Sequence, residues 1–259
     1  MMGKIVAIAS QKGGVGKTST VINLGVSLTI FQKKTLVIDM DPQGSIAETF
    51  HLNEFEIKYG IFDIFVNKIP LSSSITDIGL ENFEIVPANV RNEEDEVELY
   101  TNAFHIKLLK NVLQPYLELY DYILIDCPPN LGTLTMNALA AANSVIIPVQ
   151  CEYYSLKSLG KFLRSIKNIG NKFNTNLEIL GILITMFDKR LKKSREIAND
   201  MSKSFKDLIF QTKIPRNSKI SEAPAVGKPV ALFDINSAGA ISYLNLAEEI
   251  IKNEHSLSK

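Results

Sequence analysis

Ser10 to Thr20 reads SQKGGVGKTST, directly after the apolar run Ile5, Val6, Ala7, Ile8, Ala9. Glycines between a strand-like run and a helix-like stretch let the backbone turn several N–H groups toward one point, with the positive end of the helix behind them. That geometry suits phosphate. Lys17 would reach the outer phosphates and the Thr18 hydroxyl would hold Mg²⁺, with Gly13, Gly14, Val15, Gly16 and Ser19 completing the cradle. The ordinary pattern wants a glycine five residues before Gly16, where this chain has Gln11; it carries Lys12, Gly13 and Gly14 instead.

Outward from that loop, short runs rich in Val, Ile and Leu recur. They are KIVAIAS (4–10), TLVIDMD (35–41), FEIVPA (83–88), YILIDC (122–127), SVIIPVQ (144–150) and LEILGILITMF (177–187). They are apolar nearly throughout rather than alternating, as strands covered on both faces are. Helical stripes lie between them: Val21, Leu24, Leu28 and Phe31, then Phe104, Leu108, Val112 and Leu113. Strand and helix in succession predict an α/β three-layer sandwich, a mostly parallel twisted sheet flanked by helices. One domain over residues 1–259 is expected, closed by a helix from about Ala238 to Lys252, with 253–259 as a frayed tail.

Composition narrows the function. Of 259 residues, 28 are Lys or Arg and 28 are Asp or Glu, so no global field favours nucleic acid or a membrane surface and any basic site must be local. Cys127 and Cys151 sit in apolar runs, which fits a reduced, cytoplasmic setting; Cys127 reads as a small core residue. No export segment is expected, since Met1 to Ala9 is too short for an apolar export core and runs into glycines.

Carboxylates close the next strands. Asp39 and Asp41 end an apolar run ahead of Pro42, Gln43 and Gly44, placed to handle Mg²⁺ and water beside the phosphate loop. Asp126 ends the run Tyr122 to Ile125; a buried carboxylate without a cation is costly, and Mg²⁺ accounts for it.

Lys-Gly-Gly-Val-Gly-Lys-Thr, Lys12 to Thr18, closely resembles the deviant phosphate loop of the ParA and MinD ATPases, and the likeness runs from Lys4 to about Ile251. The resemblance implies ATP and Mg²⁺ as cofactors and a sandwich homodimer in which Lys12 reaches the phosphates held by the other subunit. It implies catalytic roles for Lys12, Lys17 and Asp41, the last orienting the attacking water. Asp39 falls near the metal shell, beside Thr18 and Asp126. SVIIPVQCEYYSLKSL (144–159) matches a partition-ATPase segment, and Glu152 falls where a relative's glutamate pairs across the dimer with the early lysine. Pro215 and Asn217 fall at the adenine-side loop, and Ser221 to Pro224 continue the match with chromosome-type members.

Two destinations divide this family. MinD-like proteins, which place division sites or cell poles, bind membrane through a basic amphipathic C-terminal helix; ParA-like proteins bind DNA without reading its sequence. Here the last helix carries Glu248 and Glu249 and its tail has no apolar face, so no membrane partner is expected. Met186 to Arg195 concentrates Lys189, Arg190, Lys192, Lys193 and Arg195. Arg190 and Lys219 occupy positions that in chromosome-type ParA proteins are basic and touch DNA. The expectation is a weakly active, nucleoid-associated partitioning ATPase whose ATP dimer binds double-stranded DNA nonspecifically, stimulated by a ParB/Spo0J-type centromere-binding protein. With the first strand at Lys4, no helix-turn-helix is expected ahead of it. The acidic run Glu93, Glu94, Asp95, Glu96, Glu98 is either a solvated helix start or a surface for a basic peptide.

Overall fold

Along β1 (Lys4–Ile8), Ile5 and Ala7 enter one apolar layer while Val6 and Ile8 enter another. Covering on both faces is why the run never alternates in polarity. The computed structural model describes residues 3–53, 55–152 and 155–257, with side chains to 253. Its seven strands are β1, β2 (Thr35–Asp39), β3 (Thr76–Leu80), β4 (Phe83–Val86), β5 (Tyr122–Asp126), β6 (Ser144–Gln150) and β7 (Glu178–Thr185). They lie in the order β3-β4-β2-β5-β1-β6-β7, parallel except for β3 against β4. The expected parallel sheet between helical layers is therefore present.

One layer is formed by α1 (Lys17–Ile30) and the helix Ala238–Leu257, which pack Leu24, Leu28, Tyr243, Leu246 and Ile250 with Val37, Leu124 and Ile146. The opposite layer, which includes the helices Thr133–Ala141, Ser155–Phe173 and Lys192–Ser204, packs Leu134, Phe162, Ile166 and Met201 with Ile38, Ile125 and Ile147. Each fully buried Leu or Ile contributes roughly 1.5–3 kcal/mol. Buried Asn137 ties the second layer together. Its amide donates to Ala103 O at 2.8 Å and its carbonyl accepts from Leu109 N at 3.3 Å.

Differences from the sequence expectation lie at edges and ends. β3 was not expected: its five residues alternate, Gly79 has φ 74° and a bulge interrupts its pairing, as suits a short edge strand. Phe104 belongs to no helical stripe; it is exposed in the turn between the helices Glu93–Asn102 and Leu108–Leu113. Phe31 caps α1 rather than lying within it. The final helix begins at Ala238 as expected but runs past Lys252 to Leu257.

Strand order decides where the acidic side chains end up. With β5 between β1 and β2, Asp126 pairs in register with Ile8 on one side and Asp39 on the other. Both carboxylates therefore emerge at the carboxyl edge of the sheet beside the loop that leaves β1, the crevice where open α/β sheets bind ligands.

Candidate functional site

The loop from Ser10 to Gly16 joins β1 to α1. Gly14 and Gly16 have φ of 68° and 87°, a left-handed backbone that costs other L-residues about 1–2 kcal/mol. A Cβ on Gly13, Gly14 or Gly16 would touch nothing within 4 Å, so the mouth of the loop is open space. The first turn of α1 holds no acidic residue, leaving its positive end unneutralised. Beside it, a cavity of about 200 Å³ is lined by Thr18, Ser19, Ser45, Thr49 and Lys228.

Lys17 is 7% exposed and its charge acts on Asp126. The Thr18 hydroxyl donates to Asp126 Oδ2 at 2.6 Å, while Asp126 Oδ1 is buried with no hydrogen-bond partner. Burial raises the Asp126 carboxyl well above the usual carboxylate range, Thr18 and Lys17 pull it down, and Asp41 pushes it up. An orphaned buried carboxylate oxygen next to a threonine hydroxyl, beneath an open amide cradle, fits Mg²⁺ held with phosphate. Such a site needs only one or two carboxylates. Accordingly, no group of three or more His, Cys, Asp or Glu side chains is gathered among the described residues.

Asp39 is fully buried at the end of β2. Its Oδ1 accepts from Asp41 N and its Oδ2 from Ile46 N, both at 3.1 Å, so each oxygen has one backbone partner and a lone pair to spare. It is a buried peg beneath the loop from Met40 to Ile46, bonded to the backbone of Asp41 and Ile46. Burial and the neighbouring Asp126 charge raise its pKa. Asp41 is half-buried; its Oδ1 accepts from Gln43 N at 3.2 Å and its charge reaches Asp126.

The Lys12 ammonium pairs with Glu152 of the same chain at 2.5 Å, with about half of each side chain exposed. An exposed pair of this kind is worth ~0–1 kcal/mol, so little holds Lys12 there. Of the 144–159 stretch, Tyr153 and Tyr154 lie outside the described residues.

In the loop after Ile214, Pro215 bridges to Phe187, and Asn217 Oδ1 caps the helix Ser218–Glu222 by accepting from Lys219 N at 3.0 Å. Phe187 N donates to Ile214 O and Arg216 N to Phe187 O, setting this loop against the root of the basic stretch. There, Arg190 forks onto Asp188 at 2.9 and 2.7 Å, and Lys219 pairs with Glu222 at 2.8 Å. Lys192 lies 3.8 Å from Glu196. Lys193 is next on the same helix, Lys192–Ser204. Arg195 is exposed and reaches back along the loop, its Nη1 donating to Lys189 O at 2.6 Å. Several of these cations thus carry their own counter-carboxylates.

Three residues escaped the sequence reading. Gln150 and Thr185, the last residues of β6 and β7, donate to carbonyls of the phosphate loop. Tyr100, on the acidic helix, meets the Asn130 side chain in the loop after Asp126 and feels the charge of Asp41. A lone polar residue closing an apolar strand carries no motif signal.

The family model described as AAA domain matches residues 3–179. Sporulation initiation inhibitor protein Soj of Bacillus subtilis is 42% identical over 252 residues, covering 97% of this chain and 100% of the relative. Chromosome partitioning protein ParA of Myxococcus xanthus is 41% identical over 253 residues, covering 98% and 89%. Cobyrinic acid a,c-diamide synthase from Mycobacterium smegmatis, solved with bound ADP and magnesium, superposes with TM-score 0.82 at 30% identity, covering 98% of this chain and 96% of that one.

Proposed function

Because the chain belongs to the ParA and Soj family of partitioning ATPases, we propose that it segregates DNA through a cycle of Mg·ATP binding, dimerisation and hydrolysis. One observation carries the nucleotide half: the unpartnered Asp126 Oδ1 beside the Thr18 hydroxyl, below an open glycine cradle. When bound, Mg²⁺ would offset negative charge between the phosphates and Asp126. The amides from Gly13 to Ser19 grip the phosphate chain, and Lys17 balances its outer charge. Asp41, aimed by Asp39, orients the attacking water. Pro215 and Asn217 flank the base.

Lys12 supplies the condition for turnover. Weakly held by Glu152, it is free to exchange that carboxylate for the more highly charged triphosphate of a second copy. A cation arriving from the partner stabilises charge in the transition state only once two chains have met, which links hydrolysis to dimerisation.

DNA is the destination this reading favours. In the free chain Asp188 and Glu222 balance Arg190 and Lys219, so DNA phosphates must displace carboxylates to bind. Doubling the face in a dimer multiplies the phosphate contacts, and with them the salt dependence. A ParB-type partner then stimulates hydrolysis and releases the DNA. The test is Arg190→Glu, assayed by DNA shift with Mg·ATP at moderate salt. Reversing this charge should weaken DNA binding by about tenfold or more while leaving ATP binding and dimer mass unchanged, since the Arg190 side chain is 84% exposed. DNA affinity within twofold of the parent's would exclude this face.

A further inference from the structure

Thr185 is 2% exposed, and its hydroxyl donates to Val15 O at 2.8 Å, with Val149 O at 3.3 Å. Gln150 stands beside it in register on the neighbouring strand. Its Nε2 donates to Gly14 O at 2.8 Å and also meets Met186 Sδ at 2.9 Å. The two side chains therefore hold consecutive carbonyls of the phosphate loop, Gly14 O and Val15 O.

Planar trans peptides convert this hold on the carbonyls into a direction for the amides. Within each unit the C=O and the next N–H point in opposite directions. Drawing back the carbonyls of Gly14 and Val15 turns the N–H groups of Val15 and Gly16 forward, into the open space above the glycines. A cradle prepared in this way spends less of its phosphate affinity on ordering itself.

Gln150 does more than Thr185. Met186 is a non-glycine residue at φ 49°, and it leads into Phe187 and the Asp188 to Arg190 turn of the basic stretch. One amide nitrogen, with two N–H groups, thus serves both the phosphate loop and the root of the basic loop.

We propose that Thr185 and Gln150 are positioning residues for the bound phosphates, and that Gln150 also ties occupancy of the phosphate loop to the stance of the basic loop. The inference rests on the nucleotide and DNA reading proposed for this chain.

The test compares full-length Thr185→Val, Thr185→Ser and Gln150→Leu with the parent. Affinity for a non-hydrolysable Mg·ATP analogue is titrated well below the melting temperature, and DNA affinity is then measured at saturating analogue. Losing one tether should weaken analogue binding about tenfold in Thr185→Val and Gln150→Leu, whereas Thr185→Ser, which keeps the hydroxyl, should stay within twofold. At saturation Thr185→Val should regain parental DNA affinity, because it touches only the phosphate loop. Gln150→Leu should remain about fivefold weaker on DNA, a deficit of roughly one lost hydrogen bond. Analogue affinity within twofold of the parent in both Thr185→Val and Gln150→Leu overturns the positioning role. Equal DNA affinity in these two variants at saturation overturns the link. If the parent itself fails to bind DNA, the DNA reading fails and the link falls with it, while the analogue titration still decides the positioning role.

Discussion

Lys17→Ala is expected to lose Mg·ATP affinity by roughly two to three orders of magnitude, the effect of removing a buried charge from its partners at ~3–5 kcal/mol. The side chain is nearly enclosed, so bulk water cannot replace it. Without it, a triphosphate would enter a site where Asp126, Asp39 and Asp41 repel it and only backbone amides and Mg²⁺ attract it. The loss should appear in equilibrium binding, with secondary structure by circular dichroism as the control. Because Lys17 also lowers the cost of ionising Asp126, the variant should lose Mg²⁺ dependence along with nucleotide. Affinity within about fivefold of the parent's, on this scale of energies, would contradict the phosphate-loop assignment.

Asp41→Ala is expected to do the reverse: keep nucleotide and lose turnover. Removing a positioned base or water-orienting carboxylate typically costs about 10²–10⁴ in rate. Deleting a negative charge that already presses on Asp126 should leave Mg·ATP affinity unchanged or tighter. With hydrolysis stalled, the ATP-bound dimer should accumulate, visible as doubled mass by sedimentation. The loop itself should hold, since Asp39 still bonds the backbone of residues 41 and 46. A variant that hydrolyses ATP near the parental rate, or stays monomeric with ATP bound, would remove Asp41 from this role.

Much of this site is readable from residue order because strand chemistry and site chemistry coincide. A parallel strand buried on both faces is apolar to its last residue, so a carboxylate such as Asp39 or Asp126 marks both its end and a reason for being there. The cradle is as plain, since Gly14 and Gly16 adopt backbone angles that other residues resist. The backbone bonds of Asp39 were not legible, since they depend on a loop that folds back seven residues later, at Ile46. Residues 152 and 12 are far apart in sequence, and only the adjacency of β1 and β6 lets Glu152 meet Lys12 within one chain. Gln150 and Thr185 stayed hidden for the same reason, since their partners are carbonyls, which every residue has. β3 was missed because an edge strand with a bulge and one wet face lacks the apolar run that identified the other six.

Lys12 carries the central claim, an early lysine that leaves its own chain's carboxylate for a neighbour's nucleotide. The decisive measurement is a crystal structure with Mg²⁺ and a non-hydrolysable ATP analogue. The account predicts two copies face to face, Lys12 Nζ parted from Glu152 of its own chain and within about 3 Å of a phosphate oxygen bound by the other copy. Lys12 still seated on its own Glu152 over an occupied phosphate loop, with no second copy opposite, would contradict it.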